Sequence, residues 1–378
     1  MTAKPNILIF IDWFLPGFKA GGPIKSVANI VDSLNHRFNF FIITSDRDID
    51  DEKPYDNEPL NQWVNKSNYT IAYLTEKKRK EFIIQTISNQ KFTAIYFNSL
   101  FSKNYTLQPL RILKKHKANG KIIIAPRGML GKGALQIKSF KKKVFLTLVR
   151  ITGFYSGISW HATDKEEAQD IKRTFGKKTN IILIPNISIL NINEKHILKK
   201  ENELKLVFFS RISPKKNLFY TLQILNNLKK SNLTMDIYGS IEDENYWNKC
   251  SDYIDKNNLN IKYIKKLNPQ EVQNTLNIYH FLFFPTHHEN YGHVIVEALS
   301  SGCGLILSTN TPWRHLDRNK IGWDINLNKP EKFVEVIDHC YQMKQEEYDS
   351  YRKNCYQYVK NETTKIDAIE LTGKMFSA

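Results

Sequence analysis

Pro285-Thr-His-His-Glu-Asn-Tyr-Gly-His-Val-Ile-Val-Glu-Ala-Leu-Ser-Ser-Gly-Cys-Gly304 closes one apolar run, carries Glu289 on a loop, and opens a helix near Tyr291 before the next run begins. The runs on either side, 281–285 and 304–308, are short and continuously apolar rather than alternating. That pattern belongs to parallel strands covered by helices on both faces. Working outward, equivalent runs lie at 205–209, 234–238 and 261–264, and further upstream at 7–11, 40–44, 94–97, 121–125, 159–162 and 181–184, with helical stretches between most of them. Between the two groups, 188–202 is largely polar and fits neither helical nor strand periodicity, so it reads as a linker. The expectation is an α/β chain with domains at 1–190 and 203–365 and a terminal helical segment at 366–378, packing on either domain. Two such domains leave a cleft, with ligands bound outside the carboxyl ends of the strands.

A chain of 378 residues, 41% hydrophobic and 12% aromatic, has the material for two cores. Its 55 Lys and Arg against 38 Asp and Glu leave a formal charge of +17. Such a field draws nucleic acid, anionic membrane or phosphorylated substrates, and a merely solvated basic surface produces the same count. The four cysteines, Cys250, Cys303, Cys340 and Cys355, form no C-x-x-C pair, which speaks against a zinc site or disulfide framework and suits a reducing cytoplasm. The stretch 6–12 is too short for a signal-peptide core, and no run approaches the roughly 20 apolar residues needed to span a bilayer. A soluble or peripheral protein is expected.

Three segments at predicted strand ends carry polar chemistry. In the first, Glu289 and Glu297 stand eight apart across a helix start. The backbone N–H groups of Asn290, Tyr291, Gly292 and His293 would receive phosphate oxygens with help from the helix dipole, and Gly292 permits close approach. Glu297 would accept hydrogen bonds from sugar hydroxyls. Glutamates that merely favour a first turn and a solvent face give the same spacing. In the second, Phe208-Phe-Ser-Arg-Ile-Ser-Pro-Lys-Lys-Asn217 places Arg211 and Lys216 in one turn. A rigid guanidinium fork and a mobile ammonium can neutralise a diphosphate leaving group without a metal, although a basic turn is also ordinary surface charge. In the third, Gly21-Gly-Pro-Ile-Lys-Ser26, the glycines Gly21 and Gly22 allow backbone approach to phosphate or simply make a tight turn.

In combination these segments resemble the retaining glycosyltransferases of family 4, also called glycosyl transferases group 1. The resemblance rests on the Gly21-Gly22-Pro23 loop, Pro126-Arg-Gly-Met129, His161-Ala-Thr-Asp164, Ile184-Pro-Asn186, the turn from Arg211 to Lys216, Tyr238-Gly239, and Glu289 to Glu297 followed by Ala298 and Ser301-Gly302. It implies a GT-B fold of two Rossmann-like domains facing across a cleft. It also implies transfer of a sugar, with retained anomeric configuration, from a nucleotide diphosphate such as a UDP- or GDP-sugar to a glycan or lipid-linked acceptor. By the same resemblance Arg211 and Lys216 bind the donor diphosphate, Gly239 lies in the donor site, Glu297 binds ribose, and Glu289 contacts the transferred sugar. No metal and no cofactor beyond the nucleotide sugar are implied. Relatives commonly have a His where this chain has Arg127, which is then expected to recognise an anionic group on the acceptor.

Two further stretches are ambiguous. Asp46-Arg-Asp-Ile-Asp50 has the Asp-x-Asp spacing of a divalent-metal site, but reads as a solvated acidic loop. The stretch 132–150 joins basic residues to Phe140, Val144, Phe145, Leu148 and Val149, and either rests on an anionic leaflet, on the cytoplasmic face of the inner membrane, or packs on its own domain. The competing functions are a non-hydrolysing nucleotide-sugar epimerase on the same fold and a basic nucleic-acid-binding protein. The dispersal of the basic residues and the lack of any nucleic-acid motif disfavour the latter.

Overall fold

The computed structural model describes residues 3–131, 135, 139–190, 192, 194–228, 230–265, 267–268, 271–365 and 367–377. The chain divides into two compact units, Met1–Ile187 with Ile366–Ala378, and Ser188–Lys365.

In the first unit the chain runs β1 (Asn6–Phe10), α1 (Gly22–Leu34), β2 (Asn39–Ser45), β3 (Trp63–Asn65), β4 (Thr70–Leu74), α2 (Glu76–Asn89), β5 (Ala94–Phe97), α3 (Gln108–Lys115), β6 (Lys121–Ile124), α4 (Ser139–Ile151), β7 (Ser159–Ala162), α5 (Lys165–Phe175) and β8 (Ile181–Leu183). The eight strands are ordered β3-β4-β2-β1-β5-β6-β7-β8, parallel except for β3 against β4. The central strand shows why its sequence is apolar throughout. Ile7 and Ile9 enter the core on one face and Leu8 and Phe10 the core on the other, and none is exposed. Helix α5 shows how the ends are set. Asp164 accepts the Glu167 amide at 2.8 Å, acids occupy the first turn and Lys172 and Arg173 the last. The final helix of the described residues, α12 (Ala368–Ser377), packs in this unit: Phe376 lies edge-on to Phe38, Phe40 and Tyr96, and Glu370 pairs with Arg37 at 2.6 Å.

The second unit runs β9 (Leu204–Phe209), α6 (Leu218–Asn226), β10 (Leu233–Tyr238), α7 (Glu244–Lys256), β11 (Ile261–Lys265), α8 (Val272–Leu276), β12 (Phe281–Phe284), α9 (His293–Ser300), β13 (Gly304–Ser308), β14 (Gly322–Ile325), α10 (Pro330–Gln342) and α11 (Gln345–Lys365). Its six parallel strands are ordered β11-β10-β9-β12-β13-β14. Strands before β12 add to one side of β9 and those after it to the other. The order therefore reverses between β9 and β12, which opens a crevice at their carboxyl ends. In the first unit the reversal falls between β1 and β5.

Three expectations need correcting. Strands β3, β4 and β14 join the expected set: β3 has three residues and β14 four with only its ends buried, so neither carries a full apolar run, while β4 is buried from Ile71 to Leu74 and pairs in parallel with β2. The supposed linker is packed: Leu190, Ile192 and Ile197 lie on the core of the second unit. Within it the buried Lys199 ammonium donates to the carbonyls of Lys200, Tyr341 and Met343, so its polar residue hides a built contact. The acidic loop is solvated only in part, since Asp46 and Asp48 are both buried while Asp50 is exposed. Asp48 Oδ2 accepts the amides of Phe18 at 2.7 Å and Lys19 at 3.0 Å, and Asp46 accepts from the Arg47 guanidinium. Carboxylates whose oxygens are satisfied this way can leave water at modest cost.

Candidate functional site

The second unit's crevice is assembled from the loops that follow β9, β10 and β12. Gly239, just past β10, has φ 141° and no room for a side chain, because a Cβ there would sit 1.9 Å from the Ser210 carbonyl oxygen. That close approach lets the loops after β9 and β10 exchange backbone bonds, Ser210 N to Tyr238 O at 3.0 Å and Ile212 N to Ser240 O at 2.8 Å. Arg211 is held between them. Its guanidinium pairs with Glu242 at 3.1 Å, a partner the sequence reading missed because the two residues lie on different loops.

Past Arg211 the chain makes one short turn, Pro214–Lys216, and Asn217 follows in the left-handed region at φ 65°. The Asn217 amide side chain donates to the Pro285 carbonyl at 2.9 Å, and the amide of His287 donates to Lys215 O at 3.0 Å. The two strand ends flanking the reversal are thus stitched together. The result is a short ion pair, Lys216 Nζ to Glu289 Oε2 at 2.7 Å, with the two side chains only 11% and 17% exposed. The ammonium also lies 5.3 Å from the centre of the Phe284 ring. Burial by itself would raise the Glu289 pKa, but the charges of Lys216 and Lys215 and the bond from Lys216 outweigh it and hold the carboxyl down at about 2. Lys215 is lowered to about 8 by burial and then by repulsion from Lys216.

Helix α9 begins at His293, later than the start near Tyr291 that the sequence suggests, because Gly292 takes the left-handed N-cap position at φ 79°. Asn290 and Tyr291 therefore precede the helix. The Asn290 amide is engaged by Glu289 Oε1 at 3.0 Å, so it is not one of the open helix-end donors expected from sequence. Tyr291 is anchored at both ends, its carbonyl accepting from Trp313 Nε1 and its hydroxyl bonding to Ser188, each at 2.6 Å. Glu297 is half-buried on α9.

Gly21, Gly22 and Arg127 belong to the first unit. Gly21 caps α1 at φ 67° with open space where a Cβ would stand, so its backbone angle rather than crowding calls for glycine. Arg127, itself at φ 55°, spends its guanidinium on neutral acceptors: Nε donates to Asn98 Oδ1 at 2.7 Å, one terminal nitrogen to Asn186 Oδ1, and the other to Tyr96 Oη at 2.8 Å. The network continues from Tyr96 to His161 Nδ1 at 2.9 Å, and from Asn98 to the Pro23 carbonyl at 3.1 Å. Burial, and then the charge of Arg127, push His161 down to about 3, so the imidazole is neutral. Sequence motifs far apart in the chain thus meet in one cluster, while its connectors Tyr96 and Asn98 look in sequence like a strand residue and a turn residue. Among the described residues no carboxylate pairs with Arg127, and no group of three or more His, Cys, Asp or Glu is placed to hold a metal ion.

Comparison with known proteins fits this architecture. Residues 191–361 match the family model described as glycosyl transferases group 1. No curated protein matches the sequence. Among solved structures, Anabaena HepE in complex with UDP-glucose aligns with a TM-score of 0.72 at 12% identity, covering 99% of this chain and 100% of that one. Sucrose-phosphate synthase from Thermosynechococcus elongatus aligns with a TM-score of 0.72 at 12% identity, covering 99% and 98%. WaaG, a glycosyltransferase involved in lipopolysaccharide biosynthesis, aligns at 0.66 and 12%, covering 98% of each. At such identity these structures speak for the fold, and the family match speaks for the second unit. The chain accordingly has the GT-B fold of two Rossmann-like units, and its residues 191–361 match the glycosyl transferases group 1 family.

Proposed function

We propose that this protein is a retaining, metal-independent glycosyltransferase that moves a sugar from a nucleotide diphosphate donor to a glycan or lipid-linked acceptor in the synthesis of a bacterial surface polysaccharide or glycolipid. The observation that carries the reading is the Lys216–Glu289 pair, set where the strand order reverses and flanked by Arg211, Gly239 and Gly292. Cations that converge on such a crevice suit a diphosphate, and a carboxylate held ionised beside them suits hydroxyls or positive charge developing on a sugar. The UDP-glucose bound to HepE and the lipopolysaccharide pathway of WaaG support the donor and product classes by analogy.

In this reading Arg211 leaves Glu242, and with Lys216 takes the diphosphate. Glu297 takes ribose, Glu289 faces the transferred sugar, and the backbone at Gly239 and 291–293 approaches the donor. The bond between the anomeric carbon and the phosphate oxygen breaks as the bond to the acceptor oxygen forms on the same face. The acceptor proton passes to the departing phosphate oxygen, so no protein nucleophile is required. Arg127 serves the acceptor side, offering its remaining N–H groups to an anionic substituent.

Thermal melting with a panel of nucleotide diphosphates and sugar nucleotides, chelator present, tests the donor assignment. A ligand at about 100 times its dissociation constant adds about 2.7 kcal/mol to the folded state. Stabilisation of wild type but not of Arg211→Ala is expected. A requirement for a divalent ion, or no stabilisation by any nucleotide, overturns it. Release of an altered sugar nucleotide without any acceptor would assign an epimerase instead.

A further inference from the structure

Large apolar side chains exposed singly are normal on a protein surface, but a row of them on one element is not. Among the described residues, four of the twelve exposed large hydrophobics fall on helix α4: Phe140 at 79%, Val144 at 44%, Leu148 at 56% and Ile151 at 78%. Their spacing of four, four and three residues puts them on one stripe along the helix. The opposite side of α4 is already occupied, with Phe145 edge-on to Phe101 and Leu146 and Val149 on the unit's core. The helix therefore has two apolar faces, one of which stays largely exposed among the described residues. Part of the basic stretch preceding it, 132–134 and 136–138, lies outside the described residues.

The border of the stripe is cationic. Lys143 and Arg150 are exposed on its flank, and α4 contains no acidic residue. Beyond its end, exposed Arg111 and Lys114 of α3 lie over the Phe154 ring at 5.8 and 5.7 Å, and Lys114 also donates to the Phe154 carbonyl. A second copy laid on this face would bring cation against cation. An anionic bilayer surface satisfies both features at once, taking the apolar stripe below its headgroups and the basic border at their level.

We infer that the stripe Phe140, Val144, Leu148 and Ile151, with Lys143 and Arg150 on its flank, is a docking surface for an anionic lipid bilayer. It makes the protein a reversible peripheral binder, since among the described residues no helix is long and apolar enough to cross a membrane. Co-sedimentation of the full chain with vesicles of phosphatidylcholine, or of phosphatidylcholine enriched in phosphatidylglycerol, tests this. Wild type is expected to pellet with the anionic vesicles alone and less so at high salt. Phe140→Ser with Ile151→Ser, and separately Lys143→Glu with Arg150→Glu, are each expected to lower the bound fraction about tenfold or more while melting as wild type does. The inference is overturned if wild type stays in solution, or if both doubles pellet undiminished. It is equally overturned if light scattering finds a wild-type oligomer that the serine double converts to monomer, which would make the stripe a contact between copies.

Discussion

Lys216 Nζ and Glu289 Oε2 stand 2.7 Å apart across the point where the second sheet reverses its strand order, so the loops after β9 and β12 are tied by a charge pair that is mostly out of water. Removal of one member leaves the other buried without its counter-charge. Lys216→Ala is expected to destabilise the fold by about 2 kcal/mol, below the full cost of breaking a wholly buried pair because both groups keep some solvent. It should also abolish any stabilisation by nucleotide diphosphates. Urea unfolding with and without UDP or GDP checks both, and a variant that melts normally and still responds to nucleotide would sever the pair from donor binding.

The same pair sets an acid limit. Glu289 is held at about 2 against an ordinary 4.5, so its folded form binds the proton more weakly than its unfolded form. Its contribution to stability is complete above 4.5 and is lost as pH falls from there toward 2. Glu289→Gln lacks that term, so the stability gap between wild type and variant should narrow across this window. A gap independent of pH would show that Glu289 is not held ionised.

Gly239 and Gly21 both have positive φ, but only Gly239 is crowded. Gly239→Ala must separate the loops that hold Arg211 and is expected to cost about 3 kcal/mol and to weaken donor binding. Gly21→Ala meets no neighbour and should cost less, about 2 kcal/mol, from its backbone angles alone. Equal costs for the two would contradict this division.

His161 is neutral in the fold, pushed down to about 3 from 6.5 by burial and by Arg127. Below 6.5 the unfolded chain gains a proton that the folded chain refuses, so stability should fall by up to about 1.4 kcal/mol per pH unit as pH drops from 6.5 toward 3. His161→Gln should flatten that slope. Chemical denaturation of both proteins across the window decides it.

Arg127→Ala separates the acceptor from the donor. Nucleotide-induced stabilisation should survive, since the donor cations Arg211 and Lys216 are untouched, whereas sugar transfer should fall about a hundredfold through lost positioning. Loss of the nucleotide response in this variant would place Arg127 on the donor side.

The order of apolar runs already specified two parallel α/β units, because a strand buried on both faces, such as 7–11, has to be apolar at every position. The turn holding Arg211 and Lys216 and the loop holding Glu289 were also legible, since they follow such runs directly. Other features were decided only by the tertiary structure. Asp48 looked solvated until the amides of Phe18 and Lys19 arrived from the loop after β1, and 188–202 looked like a linker until Lys199 found carbonyls on and beyond α10. Arg127 acquired Tyr96 and Asn98 from the end of β5 and Asn186 from beyond β8, and Glu289 acquired Lys216 from 73 residues away. Periodicity reports which positions avoid water. It does not report which polar groups meet, because partners that satisfy a buried charge are brought together by the fold from remote parts of the chain.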